Sequence, residues 1–527
     1  MKKFPIIFIF SILSITIFGQ GISSLQQRKL TNAISAISNL YVDTINDKKL
    51  IETAIEAMLK ELDPHSSYIS KTEVDRVNEP LEGSFEGVGI QFQMLEDTLL
   101  VVQTIAGCPA AKVGVLPGDR IIYIGEEIIA GVKMQNSDIM KRLRGAKGTE
   151  VTVKIKRSNN PELIVFKIIR DKIPIYSVDA AYMIGKEIGY IKINNFGSTT
   201  VDEFQKKFTL LQKSGMKHLI LSLQGNGGGY LTAAHQLADE FLSKNKLVVY
   251  TQGLNQPKSV MESTAKGRFE IGKLIVLIDE YSASASEIVS GALQDWDRAI
   301  LIGRRTFGKG LVQRQLPLVD GSMLRLTTAR YYTPTGRCIQ KSYKGGVDKY
   351  EKDLYERYKH GEFLHADSIH FPDSLKYQTL ELKRTVYGGG GIMPDIFVPI
   401  DTTRYTDYHR KIVARGIVNK LTIQYIDKNR LELKKKFTSF DKFKKNYEID
   451  DNLLEQLKSL AEKEKIAFDS TQYAISKPLI SLQIKALIAR DLWDINEYYQ
   501  IMDAENESLQ KAIEILNKQG EYEKTLK

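Results

Sequence analysis

The chain has 527 residues, more than one hydrophobic core accommodates, and its length predicts three or four domains. Its formal charge of +10 comes from 74 Lys and Arg against 64 Asp and Glu, with no long block of one sign and no basic stripe interleaved with aromatics. That pattern excludes a nucleic-acid groove and allows no more than weak attraction to anionic surfaces, such as peripheral association with a membrane. Cys108 and Cys338 lie in different segments, so they make no disulfide framework and read as free buried thiols, and the seven His are dispersed. No metal and no cofactor is expected.

In chain order, residues 1–20 carry Met1-Lys2-Lys3, an apolar stretch from Phe4 to Phe18, then Gly19-Gln20, the three-part layout of a signal peptide. The stretch is shorter than the roughly 20 residues of a membrane-spanning helix. Cleavage near Gly19 and an exported product, in the periplasm or cell envelope, are expected, with a retained anchor as the alternative. Residues 21–82 read as helical, amphipathic over 25–62. Residues 83–172 read as a small β-rich module. Its Gly87-Val88-Gly89-Ile90 suits peptide binding, because successive amides of a glycine-rich turn form an anion nest and a strand edge from Ile90 can pair with an incoming chain. Residues 173–400 alternate strands such as 188–193 and 218–222 with helices over 201–212 and 231–242, an α/β core. Residues 401–527 change to long charged helices, notably 451–465, 478–493 and 495–518. This extension could pack on the core, drive homo-oligomerisation or dock an adaptor, and the pattern does not choose.

Two segments of the core point to chemistry. Leu274 to Ile278 reads as a strand that turns through Ser282-Ala283-Ser284-Ala285-Ser286-Glu287 into a helix beginning near Ser284. Small residues at such a turn let a substrate carbonyl approach, and the free amides of a first helical turn can stabilise an oxyanion. The bland reading of Ser284 to Glu287 is a capping box. Further on, Lys309 lies between Gly308 and Gly310 after an apolar strand, 299–302. The segment 303–309 has the spacing of a phosphate-binding loop, but Gly310 stands where a Ser or Thr would hold magnesium, and a strand-like run follows instead of a helix. A serine-lysine pair requires a neutral amine. Lowering a lysine from about 10.4 to about 7–8 corresponds to roughly 4 kcal/mol, which burial can supply. No carboxylate lies within ten residues of Lys309, and Gln313 can orient the amine without charging it.

These residues resemble the carboxyl-terminal processing, or tail-specific, proteases, a family of PDZ-containing serine peptidases. In that family the middle serine of S-A-S-A-S-E is the nucleophile and the base follows twenty-five positions on in F-G-K-G; here 309 − 284 = 25, and Gln313 follows four later. Asp63 to Tyr68, Arg330 to Arg337 and Gly389 to Asp395 resemble further family segments. The resemblance implies a multidomain α+β protein, with an N-terminal helical segment, a PDZ domain, a crotonase/Clp-like ββα-spiral core and a C-terminal helical extension. It implies Ser284, Lys309 and Gln313 as catalytic residues and an oxyanion hole from Ala285 and a glycine-loop amide, Gly228 or Gly229. It also implies Gly87 to Ile90 as the peptide site and Arg144 as the link between the PDZ domain and the protease site. Substrates would be proteins or peptides with accessible C-termini. One departure is visible: relatives usually carry aspartate, and often arginine, at the positions of Ser222 and Gln224, so the usual anchoring of the glycine loop is absent. The competing readings are a PDZ adaptor with an impaired protease core and a crotonase-like acyl-transforming enzyme, which would need neither Lys309 nor a PDZ module.

Overall fold

The computed structural model describes residues 21–157 and 160–527, so the expected signal peptide at 1–20 lies outside the described residues. At its centre is a six-stranded sheet in the order Val178–Ile184, Ile188–Ile193, His218–Ser222, Leu274–Ile278, Ile300–Gly303, Ile396–Phe397. The first pair is an antiparallel hairpin and the remaining pairs are parallel. Alternation along the strands divides their side chains between two faces. Ile191, Leu219, Leu221, Val276 and Leu301 pack under the helices Thr200–Lys213, Leu231–Asp239 and Ala285–Asp295. Tyr190, Ile220, Ile275, Leu277 and Ile302 face the other way, against Leu509, Ala512, Ile515 and Leu516 of the C-terminal extension. The extension is therefore the second cover of the central sheet.

A second sheet joins Ser67–Ile69, Met323–Tyr332, Leu247–Gly253 and Gln256–Glu262, with Leu311–Pro317 paired to the long strand. The glycine-rich module is a separate sheet in which Ile90–Leu95 is the edge strand beside Thr98–Thr104. The chain enters and leaves this module through one antiparallel pair, Ser84–Gly87 with Asp171–Pro174.

Six expectations change. The helix over 478–493 begins earlier, at Ser470, with Pro478 inside it, because the Asp469 side chain accepts from the Gln472 amide and starts it. Within 21–82, expected to be helical, Ser67–Ile69 is a strand, because it pairs with Met323 to Arg325. The helix over 25–62 is two helices, Ser24–Leu40 and Asp47–Lys60, because the Asn46 side chain accepts from the Lys49 amide and starts the second. The helix over 231–242 ends earlier, at Asp239. The helix over 495–518 is Ile495–Met502, a short 3-10 turn Asp503–Glu505, and Glu507–Asn517, whose cap is the Asn506 side chain. Cys338 is half-buried, because it lies in the irregular stretch after Met323–Tyr332; Cys108 is buried, and both are free thiols.

Candidate active site

Adjacent parallel strands deliver the two loops of the site. His218–Ser222 runs into the glycine loop and Leu274–Ile278 into the serine turn, so both open at the carboxyl edge of the sheet, where a crevice forms. Ser284 has φ +56° and ψ −111°, a strained conformation for a non-glycine residue, directly before the helix Ala285–Asp295. Its flanking serines are engaged elsewhere. The Ser282 hydroxyl donates to the Leu223 carbonyl at 2.8 Å and the Ser286 hydroxyl to the Asn226 carbonyl at 2.9 Å. Of the three, Ser284 is the one that lines a cleft of about 600 Å³, together with Gly227 to Gly229, Lys309, Gln313 and Arg325.

Lys309 Nζ donates to Gln313 Oε1 at 2.9 Å, and among the described residues no hydrogen bond joins it directly to Ser284. Burial pushes its pKa down to about 8; the Arg325 guanidinium adds to this, and Glu287 and Asp63 oppose it. A bulge between Val312 and Gln313, on the strand paired with Met323–Tyr332, re-aims the glutamine. Its amide nitrogen in turn donates to the His65 carbonyl, which leaves Oε1 for the amine. The His65 imidazole lies 2.7 Å from the Tyr350 hydroxyl, and burial, together with Lys309, lowers its pKa to about 4, so the ring is neutral.

Glu287 does more than cap a helix. Fully buried, it accepts from the Ser284 amide at 2.9 Å, the Lys309 amide at 2.8 Å, the Gly308 amide at 2.7 Å and the Thr306 hydroxyl at 2.5 Å. One carboxylate thus ties the serine turn to the lysine loop. Burial pushes its pKa up while these four donors favour its charged form. The Tyr331 hydroxyl adds a second tie, donating to the carbonyls of Ser284 at 3.1 Å and Lys309 at 2.8 Å.

The glycine loop lies against the serine. A Cβ at Gly228, whose φ is +102°, would sit 2.8 Å from Ser284 Cβ and 3.0 Å from the Ala285 nitrogen. The Gly228 amide already donates to Asn226 Oδ1 at 2.8 Å. Among the described residues the Gly229 and Ala285 amides have no hydrogen-bond acceptor. The loop is anchored without an aspartate at 222: both Asp279 carboxylate oxygens accept from the Gly225 amide at 3.0 Å, and Lys192 Nζ donates to the Gln224 carbonyl at 2.8 Å.

In the glycine-rich module, Val88 is buried and Ile90 begins the edge strand, whose outer edge is unpaired among the described residues. Gly87 ends the entry strand, and a Cβ at Gly89 would collide with Cys108. Arg144 touches none of Ser284, Lys309 and Gln313. It stacks 4.6 Å from the Phe85 ring and donates to both Glu79 oxygens, at 2.6 and 2.8 Å. Glu79 belongs to the helix Val74–Glu82, whose Val77, Pro80 and Leu81 form one wall of the cleft.

Sequence reasoning missed the cross-linking role of Glu287 and the parts played by His65 and Tyr331. The Asp63 to Tyr68 motif signals the His65 region, but a contact 248 residues apart has no local signature.

A PDZ-type module inserted beside an α/β core, with serine, lysine and glutamine sharing one cleft, defines a class of serine peptidase. Comparisons with known proteins agree. Residues 187–349 match peptidase family S41, 87–168 a PDZ domain, 19–73 the N-terminal domain of the activating protease CtpB, and 408–494 a family of unknown function. The chain is 38% identical over 340 residues to the carboxy-terminal-processing protease of Bartonella bacilliformis, covering 63% of this chain and 77% of that one. It is 35% identical over 316 residues to the carboxy-terminal processing protease CtpB of Bacillus subtilis, covering 59% of this chain and 65% of the relative's length. Among solved structures, the photosystem II D1 C-terminal processing protease aligns at 28% identity with a TM-score of 0.33, covering 60% of this chain and 91% of that one. The chain belongs to the carboxy-terminal processing proteases, serine-type peptidases of family S41.

Proposed function

We propose that the protein is an exported endopeptidase that recognises protein C-termini through its PDZ domain and cleaves by a Ser-Lys-Gln acyl-enzyme mechanism. The observation that carries the reading is the buried amine of Lys309, with a pKa lowered to about 8 and held by Gln313, in the same cleft as the strained Ser284. In its neutral form Lys309 takes the Ser284 hydroxyl proton as the oxygen attacks the substrate carbonyl. The amides of Ala285 and Gly229, which have no acceptor among the described residues, supply the oxyanion donors; Gly228 contributes its lack of a Cβ. Collapse of the tetrahedral intermediate passes the proton from Lys309 to the leaving amine. Lys309 then activates water to hydrolyse the Ser284 ester.

Recognition would use the free edge of Ile90–Leu95, where a peptide adds as a strand with its carboxylate at the amides of Gly87 to Gly89. Domain boundaries near 83, 172 and 400 fit the entry and exit pair and the start of the extension. Export rests on the composition of residues 1–20. The test is incubation of the purified chain with an unfolded test protein. The parent degrades it and Ser284→Ala does not; equal degradation by both overturns the reading.

A further inference from the structure

Gln224 stands at the start of the glycine loop, and two groups from outside the loop hold it. Lys192 Nζ donates to its carbonyl at 2.8 Å, and Asn506 Nδ2 donates to its side-chain oxygen at 2.8 Å. Asn506 belongs to the C-terminal extension, 282 residues further on, where its own Oδ1 accepts from the Leu509 amide and caps the helix Glu507–Asn517.

The same stretch of the extension surrounds Lys192. That lysine is in register with Ser222, which is fully buried and carries no charge. Its charged neighbours are Asp503 of the extension together with Asp279 and Asp179 of the core, and its ammonium lies 5.3 Å from the Tyr499 ring, again of the extension. Asp503 is buried and accepts from the Tyr182 hydroxyl at 2.7 Å, and Asn496 Oδ1 accepts from the Ala181 amide at 2.9 Å. The extension thus meets the core through directed polar contacts at the root of the glycine loop, beyond the apolar packing of Leu509, Ile515 and Leu516.

We propose that the Asp503 to Asn506 segment is a positioning element of the active site, with Asn506 and Gln224 as positioning residues that hold the glycine loop in the arrangement that stabilises an oxyanion at Ser284. The inference rests on the Ser284 reading above. Removing the Gln224 anchor shifts the loop without touching the serine, the lysine or the PDZ groove, so turnover falls while substrate affinity does not.

The experiment uses the full chain and four variants. Gln224→Met removes the acceptor at equal length. Asn506→Ser keeps a capping oxygen but is too short to reach Gln224. Asn506→Asp can accept from Gln224 Nε2 once that amide turns over. Ile515→Ala weakens only the apolar packing. Hydrolysis of a fluorogenic peptide yields kcat and KM, a fluorophosphonate reports the rate of tetrahedral adduct formation at Ser284, and thermal melting reports stability. Gln224→Met and Asn506→Ser are expected to lower kcat and the labelling rate about tenfold with KM unchanged. Asn506→Asp retains activity, and Ile515→Ala lowers the melting temperature without lowering kcat below its melting range. The proposal is overturned if the two polar variants keep full kcat, or if Ile515→Ala loses activity in the same proportion to its lost stability. A parent chain not labelled at Ser284 overturns the Ser284 reading as well; a labelled parent with unaffected variants overturns this inference alone.

Discussion

In the proposed mechanism Lys309 decides whether the cleft can do chemistry, because an ammonium cannot accept a proton and an amine can. Its neutral fraction grows as pH rises through about 8, so kcat/KM should fall about tenfold per pH unit on the acid side of that value and level off above it. Arg325 holds the amine toward its neutral form, so Arg325→Gln should move the rising limb of the pH profile to higher pH. An unmoved limb would remove Arg325 from the account. Lys309→Ala and Ser284→Ala should each reduce peptide cleavage by at least about a thousandfold. Lys309→Arg should not restore it, since a guanidinium stays protonated at any working pH; substantial hydrolysis by either alanine variant would contradict the assignment.

At the scale of elements, the site is a junction of loops that stay together because buried groups cross-link them. Glu287 receives four donors, and Glu287→Gln replaces one accepting oxygen by a donating NH2 that faces amide N–H groups. The expected loss is roughly 3 kcal/mol in denaturant unfolding, with a fall in kcat; a variant of parental stability would show that the carboxylate is replaceable. Arg144 acts between elements. Through Glu79 it fastens the PDZ module to the helix that walls the cleft, so Arg144→Ala should slow cleavage of long substrates several-fold. In a Ser284→Ala background the same change should leave binding of C-terminal peptides unaltered. Equal cleavage by parent and variant would reduce the PDZ domain to a tether.

These elements also show what a sequence discloses. Ser284, Lys309 and Gln313 lie within thirty residues of one another, and their small or glycine neighbours advertise the turns they occupy. The absence of carboxylates near Lys309 in sequence was legible, yet Glu287 and Asp63 reach it in space, which only the fold reveals. The Glu287 capping pattern was equally legible, whereas its bonds to the lysine loop depend on how two strands are spaced.

At the scale of the molecule, the C-terminal extension covers one face of the protease sheet and also grips the PDZ module. Arg120 pairs with Asp427 at 2.6 Å, Gln103 Nε2 donates to the Arg490 carbonyl, and Leu100 packs on Ile423. Charged helices alone left packing, self-association and adaptor docking equally open, because apolar partners of residues 509–516 such as Ile220, Ile275 and Ile302 lie on strands more than two hundred residues earlier. The loop anchor that Ser222 lacks is likewise distributed among Asp279, Lys192 and Asn506, none of which its own strand foretells.

In the proposed mechanism Ser284 forms a covalent intermediate only when Lys309 removes its proton. Intact-mass and peptide mapping of the chain after brief exposure to an activated peptide ester tests it most directly. A single acyl group on Ser284 is expected, formed at a rate that rises through pH about 8 and absent in Lys309→Ala. Acylation of another residue, or equal acylation of Ser284 without Lys309, would contradict it.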